Sequence, residues 1–226
     1  MQAINLEFEV DRSSTLSALA LIPSQAHCLL ILAHGAGAGM RHANMESLAQ
    51  ALAERGVASF RFQFPYMERG QRMPDRQPVL LATVRAAVEA GAACAPALPL
   101  VAGGRSMGGR MFSLAQAQEP LTGITGLVFF GFPLHPAGKP DTVRATHLSK
   151  IQVPLLFLQG TRDRLADLEF IQPICKALGT GTQLTLFDGA DHSFHVLKKS
   201  GVTDTQVLAA VATQVDQWTQ TLIRSR

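Results

Sequence analysis

Cysteine is scarce: three residues, Cys28, Cys94 and Cys175, stand far apart in apolar surroundings. An odd, scattered set is not a disulfide framework, and it leads us to expect reduced core thiols in a cytoplasmic compartment. Long apolar runs are missing too. Stretches such as Cys28–Ala33 fall far short of what a bilayer demands, so no membrane partner is expected. No secretory signal is visible, because Glu7 and Glu9 occupy the segment where such a signal carries positive charge ahead of an apolar core. Concentrated charge is also absent. The net charge is +3, and basic residues are scattered except for Arg69, Arg72 and Arg76 in "MERGQRMPDR". Without interleaved aromatics this is no nucleic-acid surface; it reads as a solvated basic loop, the alternative being a loop that attracts an anionic substrate. His42, His135 and His147 show no metal-ligand spacing with one another or with the cysteines, so neither a metal nor another cofactor is expected.

What is present suits a globular α/β chain. With 47% hydrophobic and 16% charged residues, the 226 positions can bury one large core, and we expect a single domain over residues 1–226. "INLEFEV" alternates and "LSALALIP" follows it, an antiparallel leading pair. "CLLILAHG" is then continuously apolar, as a strand covered on both faces must be. After it Met45, Leu48, Ala49 and Leu52 recur at helical spacing, "VASFRFQFP" runs to Pro65, and Val79–Ala93 reads as a helix. "PLVAGGRS", "GLVFFGFP", "VPLLFLQG" and "QLTLFDG" are further strands, with helices at Met107–Gln118 and near Ala166–Leu178. Thr203 and Gln206 have capping-box spacing, and Val207, Val211, Val215, Trp218 and Leu222 form one stripe for the core. The alternation predicts a mostly parallel sheet with helices on both faces.

The glycines of "AGGRSMGGR" require a reason. A phosphate loop would need a lysine and a hydroxyl after its second glycine, where this chain has Gly109-Arg110; in "GAGAG" at Gly35 the third position of a dinucleotide fingerprint falls on Met40. Gly104-Arg105-Ser106-Met107-Gly108 instead fits G-x-S-x-G between a strand and a helix. There the serine occupies a strained turn, and neighbours without a Cβ make room for it.

A serine nucleophile requires a histidine base, and the base requires a carboxylate to fix its tautomer. On such a strand–turn–helix they follow in the order serine, acid, histidine. "VPLLFLQGTRD" delivers Asp163 just past a strand, and "LTLFDGADHSF" delivers His192 after the next. His195 competes for the base, and Asp167, Asp188 and Asp191 for the acid; those carboxylates read better as turn or cap residues. Two amides must hold the oxyanion. One is the N–H of Met107 and the other comes from the loop after "LLILAHGAGAG", at Ala36 with Gly37 beside it. His34 reads as the organiser of that loop.

At these residues the sequence resembles the α/β-hydrolase superfamily over nearly its whole length. "AHGAGAGMRH", "FRFQFPYMERG", "GGRSMGGRM", "GFPLHPAGKP", "LFLQGTRD" and "DGADHSF" are similar to its small, lidless branch near the dienelactone hydrolases. The resemblance implies a Ser106–Asp163–His192 triad, an oxyanion loop at His34 to Gly37 and an α/β-hydrolase fold. The connection from Phe132 to Val153 is too short for the helical cap of larger relatives, so no large cap domain and a shallow, open site are expected. Two classes remain. One is a serine hydrolase taking a small-molecule acyl substrate; the other is a non-catalytic scaffold that keeps the fold and binds protein partners.

Overall fold

A computed structural model describes residues 1–11 and 14–224. Its strands are β1 (Ile4–Asp11), β2 (Ser14–Leu21), β3 (Cys28–Ala33), β4 (Val57–Phe62), β5 (Leu100–Arg105), β6 (Ile124–Phe130), β7 (Leu155–Gly160) and β8 (Thr182–Phe187). Among the described residues they form one sheet of eight strands in the order β1-β2-β4-β3-β5-β6-β7-β8. The leading pair is antiparallel, β2 pairs antiparallel with β4, and the remaining pairings are parallel.

The helices are α1 (Ala43–Ala53), α2 (Pro65–Glu68), α3 (Gln77–Cys94), α4 (Met107–Gln118), α5 (Leu168–Ala177) and α6 (Asp204–Arg224). They cover both faces, so the central strands are buried on both sides, and their few polar residues, Ser59, Arg61 and Gln159, are buried with them. In β3, Leu29, Ile31 and Ala33 pack in the cluster that holds Leu80, Val84, Met111 and Phe112 from α3 and α4. The intervening Cys28, Leu30 and Leu32 join Met45 and Leu48 of α1 and Val211, Val215 and Trp218 of α6. All six β3 residues are buried. Each buried aliphatic side chain contributes on the order of 1.5–3 kcal/mol of transfer free energy, so a strand apolar on both faces anchors two layers at once.

The capping box at the start of α6 is present: Thr203 N–H donates to Gln206 Oε1 at 2.8 Å, and Gln206 N–H donates to Thr203 Oγ1 at 3.2 Å. Two short elements differ from the reading of the sequence. Pro65, expected as a strand terminator, is also the first residue of α2, where its fixed φ suits a helix start and its missing N–H costs nothing. The helix expected from Ala166 begins at Leu168, with Asp167 in extended backbone at its cap.

Between β6 and β7 the chain makes two single 3-10 turns, Val143–Ala145 and Leu148–Lys150, and builds no cap. Ala33 pairs with Gly104, Arg105 with Phe130 and Gly160 with Phe187, so the carboxyl ends of β3, β5, β6, β7 and β8 lie along one edge of the sheet. Loops leaving that edge meet, as ligand sites of such sheets require.

Candidate functional site

Ser106 stands between the last residue of β5 and the first of α4, with φ 48° and ψ −115°. A non-glycine residue so placed carries strain of about 1–3 kcal/mol, held by its surroundings. Those surroundings are close. A Cβ on Gly108 would lie 2.6 Å from the His34 carbonyl oxygen and 2.7 Å from Ala33 Cβ, and one on Gly104 would run into the Ala33 carbonyl. The glycines of the motif therefore let β5 and α4 press against the end of β3. The Ser106 amide donates to the Phe130 carbonyl at 3.2 Å, which fixes the turn to β6.

Asp163 follows β7 and is buried. Its Oδ2 lies 2.7 Å from His192 Nδ1, and His192 Nε2 lies 2.8 Å from Ser106 Oγ. A carboxylate only accepts, so Nδ1 carries the proton and Nε2 is left to accept from the serine hydroxyl. The buried carboxylate is satisfied twice more: Leu165 N–H donates to Oδ1 at 2.8 Å, and the Gln159 side-chain amide donates to Oδ2. Gln159 Oε1 accepts from Phe132 N–H at 3.0 Å, so this one amide ties the segment after β6 to Asp163. Nothing in the sequence marked Gln159 beyond its place as a polar residue in an otherwise apolar strand, and that misfit was the available signal.

Ala36 and Met107, expected as oxyanion donors, stand at the loop after β3 and at the first position of α4. Neither amide has an acceptor among the described residues. The flanking loop is pinned. His34 Nδ1 donates to the Gly35 carbonyl at 2.8 Å, His34 Nε2 accepts from Phe64 N–H at 3.2 Å, and Met40 N–H donates to Gln63 Oε1 at 2.8 Å. Gly37 N–H donates to the Tyr66 hydroxyl at 3.2 Å, a contact that sequence reading missed because Tyr66 comes from α2. Burial lowers the His34 pKa to about 4, with the Gly35 carbonyl opposing the shift, so this histidine is neutral and braces the loop.

The competing residues lie elsewhere. His195 Nδ1 is 2.8 Å from Asp204 Oδ2 at the surface, and this carboxylate raises its pKa. Asp191 Oδ1 accepts from Ser193 and His195 amides at 2.8 and 3.0 Å, and Asp188 Oδ1 accepts from Thr161 Oγ1 at 3.2 Å. These are turn roles. The three cysteines are free, and burial raises the Cys28 and Cys175 thiols to about 11 and about 12, which makes them inert. Among the described residues no three metal-ligating side chains converge. A cavity of about 670 Å³ between β8 and α6 is lined by Arg162, Phe187, Val202 and Gln214, and none of Ser106, Asp163 and His192 lines it.

A family model described as an alpha/beta hydrolase domain matches residues 26–220. The structure is similar to the dienelactone hydrolase of Anabaena variabilis, with TM-score 0.74, 21% identity, and 96% of each chain covered. It is equally similar to an α/β serine hydrolase without a lid from Xanthomonas campestris, with TM-score 0.74, 21% identity, and 96% of this chain and 95% of that one covered. Est1E from Butyrivibrio proteoclasticus, solved with ferulic acid bound, matches with TM-score 0.73 and 18% identity over 97% of this chain and 99% of that one.

Proposed function

The chain belongs to the α/β-hydrolase family, and from that premise we propose that it is a serine hydrolase acting on an ester, thioester or similar acyl bond of a small substrate. One observation carries the reading: the unbroken hydrogen-bonded chain from Asp163 through His192 to a Ser106 held on a left-handed turn. Ser106 Oγ attacks the acyl carbon while its proton passes to His192 Nε2. The tetrahedral oxyanion is held by the Ala36 and Met107 amides, and the positive end of α4 adds to the same field. Collapse breaks the bond to the leaving group, which takes the proton from His192 and departs, leaving an acyl-enzyme. Water then gives a proton to His192 as it attacks, and the acid product leaves with Ser106 restored. Asp163 keeps the tautomer throughout and stabilises the imidazolium that forms. No step calls for a cofactor.

The likeness to a dienelactone hydrolase and to Est1E, which holds ferulic acid, supports small acyl substrates, and the short turns between β6 and β7 leave the site open to them. The test is labelling with a fluorophosphonate, read by intact mass. Wild-type protein is expected to gain one phosphonyl group and Ser106→Ala none. Equal labelling of both, or of neither, would overturn the reading.

A further inference from the structure

His192 sits on a loop without regular structure, and its ring must meet two partners at once. That loop is tied to itself and to the start of α6: Asp191 N–H donates to the His195 carbonyl at 2.9 Å, and Val196 N–H donates to Asp204 Oδ1 at 2.9 Å. Those bonds hold the segments on either side of the base. They do not touch the main chain of His192.

Arg105 does. Its Nη2 donates to the His192 carbonyl at 3.1 Å, and among the described residues it is the one side chain that hydrogen-bonds to the His192 main chain. The same guanidinium lies 5.7 Å from the centre of the Phe194 ring, within cation–π range. Phe194 has φ 62°, an unfavourable backbone for an aromatic residue, and its ring packs edge-on to Phe187 at 5.5 Å. Arg105 thus grips the loop at His192 and at Phe194. Across from it, Gly131 leaves space: a Cβ there would lie 3.1 Å from the His192 carbonyl oxygen and 3.2 Å from Nδ1.

The environment of Arg105 is costly unless these contacts matter. Burial lowers its pKa, with Asp191 and Asp163 opposing from a distance, and no carboxylate among the described residues comes within 4.0 Å of the guanidinium. Arg105 is half-buried, so its guanidinium carries part of the cost of desolvation without a direct counter-ion. The turn itself asks only for small residues at Gly104 and Gly108 and leaves the position before the serine free.

We propose that Arg105 is a positioning residue for His192, clamping the base loop so that the imidazole stays between Asp163 and Ser106. The proposal rests on the serine-hydrolase reading. Since Arg105 is bonded directly to Ser106, the clamp refers nucleophile and base to the same strand end, and an ångström of slack between them costs about 10²-fold in rate. A planar guanidinium can donate in its plane while presenting its face to a ring. A lysine ammonium reproduces the charge and only part of the geometry.

The test compares full-length wild type, Arg105→Met and Arg105→Lys by two readouts. The first is the second-order rate of fluorophosphonate labelling, in which the Ser106 Oγ–P bond forms as P–F breaks, the serine proton passes to His192 and fluoride leaves. The second is the downfield proton NMR signal of His192 Nδ1–H against Asp163, assigned by its loss in His192→Gln. We expect Arg105→Met to label roughly 10- to 100-fold more slowly and its signal to broaden into exchange, with Arg105→Lys recovering part of both. With phenyl acetate the loss falls on kcat while KM stays within about threefold.

If Arg105→Met labels at the wild-type rate and keeps the signal, the clamp is overturned even where its melting temperature falls, and wild-type labelling leaves the hydrolase reading standing. If wild type does not label, the hydrolase reading falls and the NMR signal alone decides the positioning. If Arg105→Met does not fold, Arg105→Lys decides: a rate and signal equal to wild type overturn the proposal, and a reduction in both supports it.

Discussion

Asp163 and Asp167 lie four positions apart on one loop, yet their surroundings give them different work. Asp163 is buried and touches His192, Leu165 and Gln159, whereas Asp167 occupies the N-cap position of α5 without a side-chain capping bond, and its Oδ2 stands 3.7 Å from His135 Nε2. Asparagine at 163 keeps the shape but can present an amide to Nδ1, which favours the wrong tautomer. We therefore expect Asp163→Asn to lower kcat by about 10³–10⁴-fold, and Asp167→Asn to stay within a few-fold of wild type. Steady-state hydrolysis of a phenyl ester measures both, and a reversal of their order would move the acid to Asp167. Ser106→Ala should remove turnover while leaving the urea midpoint near that of wild type, since the hydroxyl supports no core packing. At this scale Ser106, Asp163 and His192, which the fold brings into one hydrogen-bonded chain, were legible as candidates because each belongs to a short motif with a fixed relation to a strand end. Gln159, Tyr66 and Arg105 were not. Their roles depend on which strands become neighbours in space, and no local spacing records that.

The elements that carry the site explain its glycines and its response to acid. Because a Cβ at Gly108 would meet the His34 carbonyl and Ala33, Gly108→Ala must push α4 away from β3. Overpacking of this kind costs about 1–3 kcal/mol, and urea denaturation is expected to show a loss in that range together with slower ester hydrolysis; a stable, fully active variant would show that the contact can relax freely. His34 gives a second consequence. Its folded pKa of about 4 lies below the ordinary histidine value of 6.5, so between those limits the unfolded chain binds the extra proton. The stability that neutral His34 contributes is therefore complete above about pH 6.5 and is lost as pH falls toward 4, at up to about 1.4 kcal/mol per pH unit. His147 adds in the same window, since burial first, and then Arg110 and Lys150, lower its pKa to about 4 as well. In His34→Gln, which retains a donor and an acceptor, the fall in stability from pH 6.5 to 4.5 should be shallower than in wild type; equal slopes would mean that His34 does not titrate with unfolding. Strands β3, β6 and β7 were legible as elements because burial on both faces leaves nearly continuous apolar runs, and β4 by a β-rich run that ends at Pro65 although it carries Ser59 and Arg61. The single-turn α2 was not, since four residues hold no periodicity and Pro65 reads equally as a stop or a start.

At the scale of the whole molecule, the decisive feature is what lies over the site. The chain between β6 and β7 forms two short turns and no cap, and the basic loop after α2 is folded on itself by an Arg69–Asp75 contact at 2.6 Å. Its Met73 is 82% exposed, so that loop has not closed down on an apolar groove. A long acyl chain recovers its hydration free energy only where such a groove exists, at roughly 0.8 kcal/mol per buried methylene. The four methylenes between a butyryl and an octanoyl ester would then raise kcat/KM by about 200-fold if they were buried in the transition state. Over an open sheet edge they stay wet in both states and contribute little. We accordingly expect kcat/KM for acetyl, butyryl, octanoyl and palmitoyl esters of one phenol to level off near four carbons, within about threefold thereafter, and to show no activation at a lipid interface. The comparison isolates the acyl side because the leaving group, and with it the chemistry at Ser106, is constant. A steady climb to the palmitoyl ester would mean that Arg69 to Arg76 closes over bound substrate and that the molecule makes a lid from a loop in place of a domain.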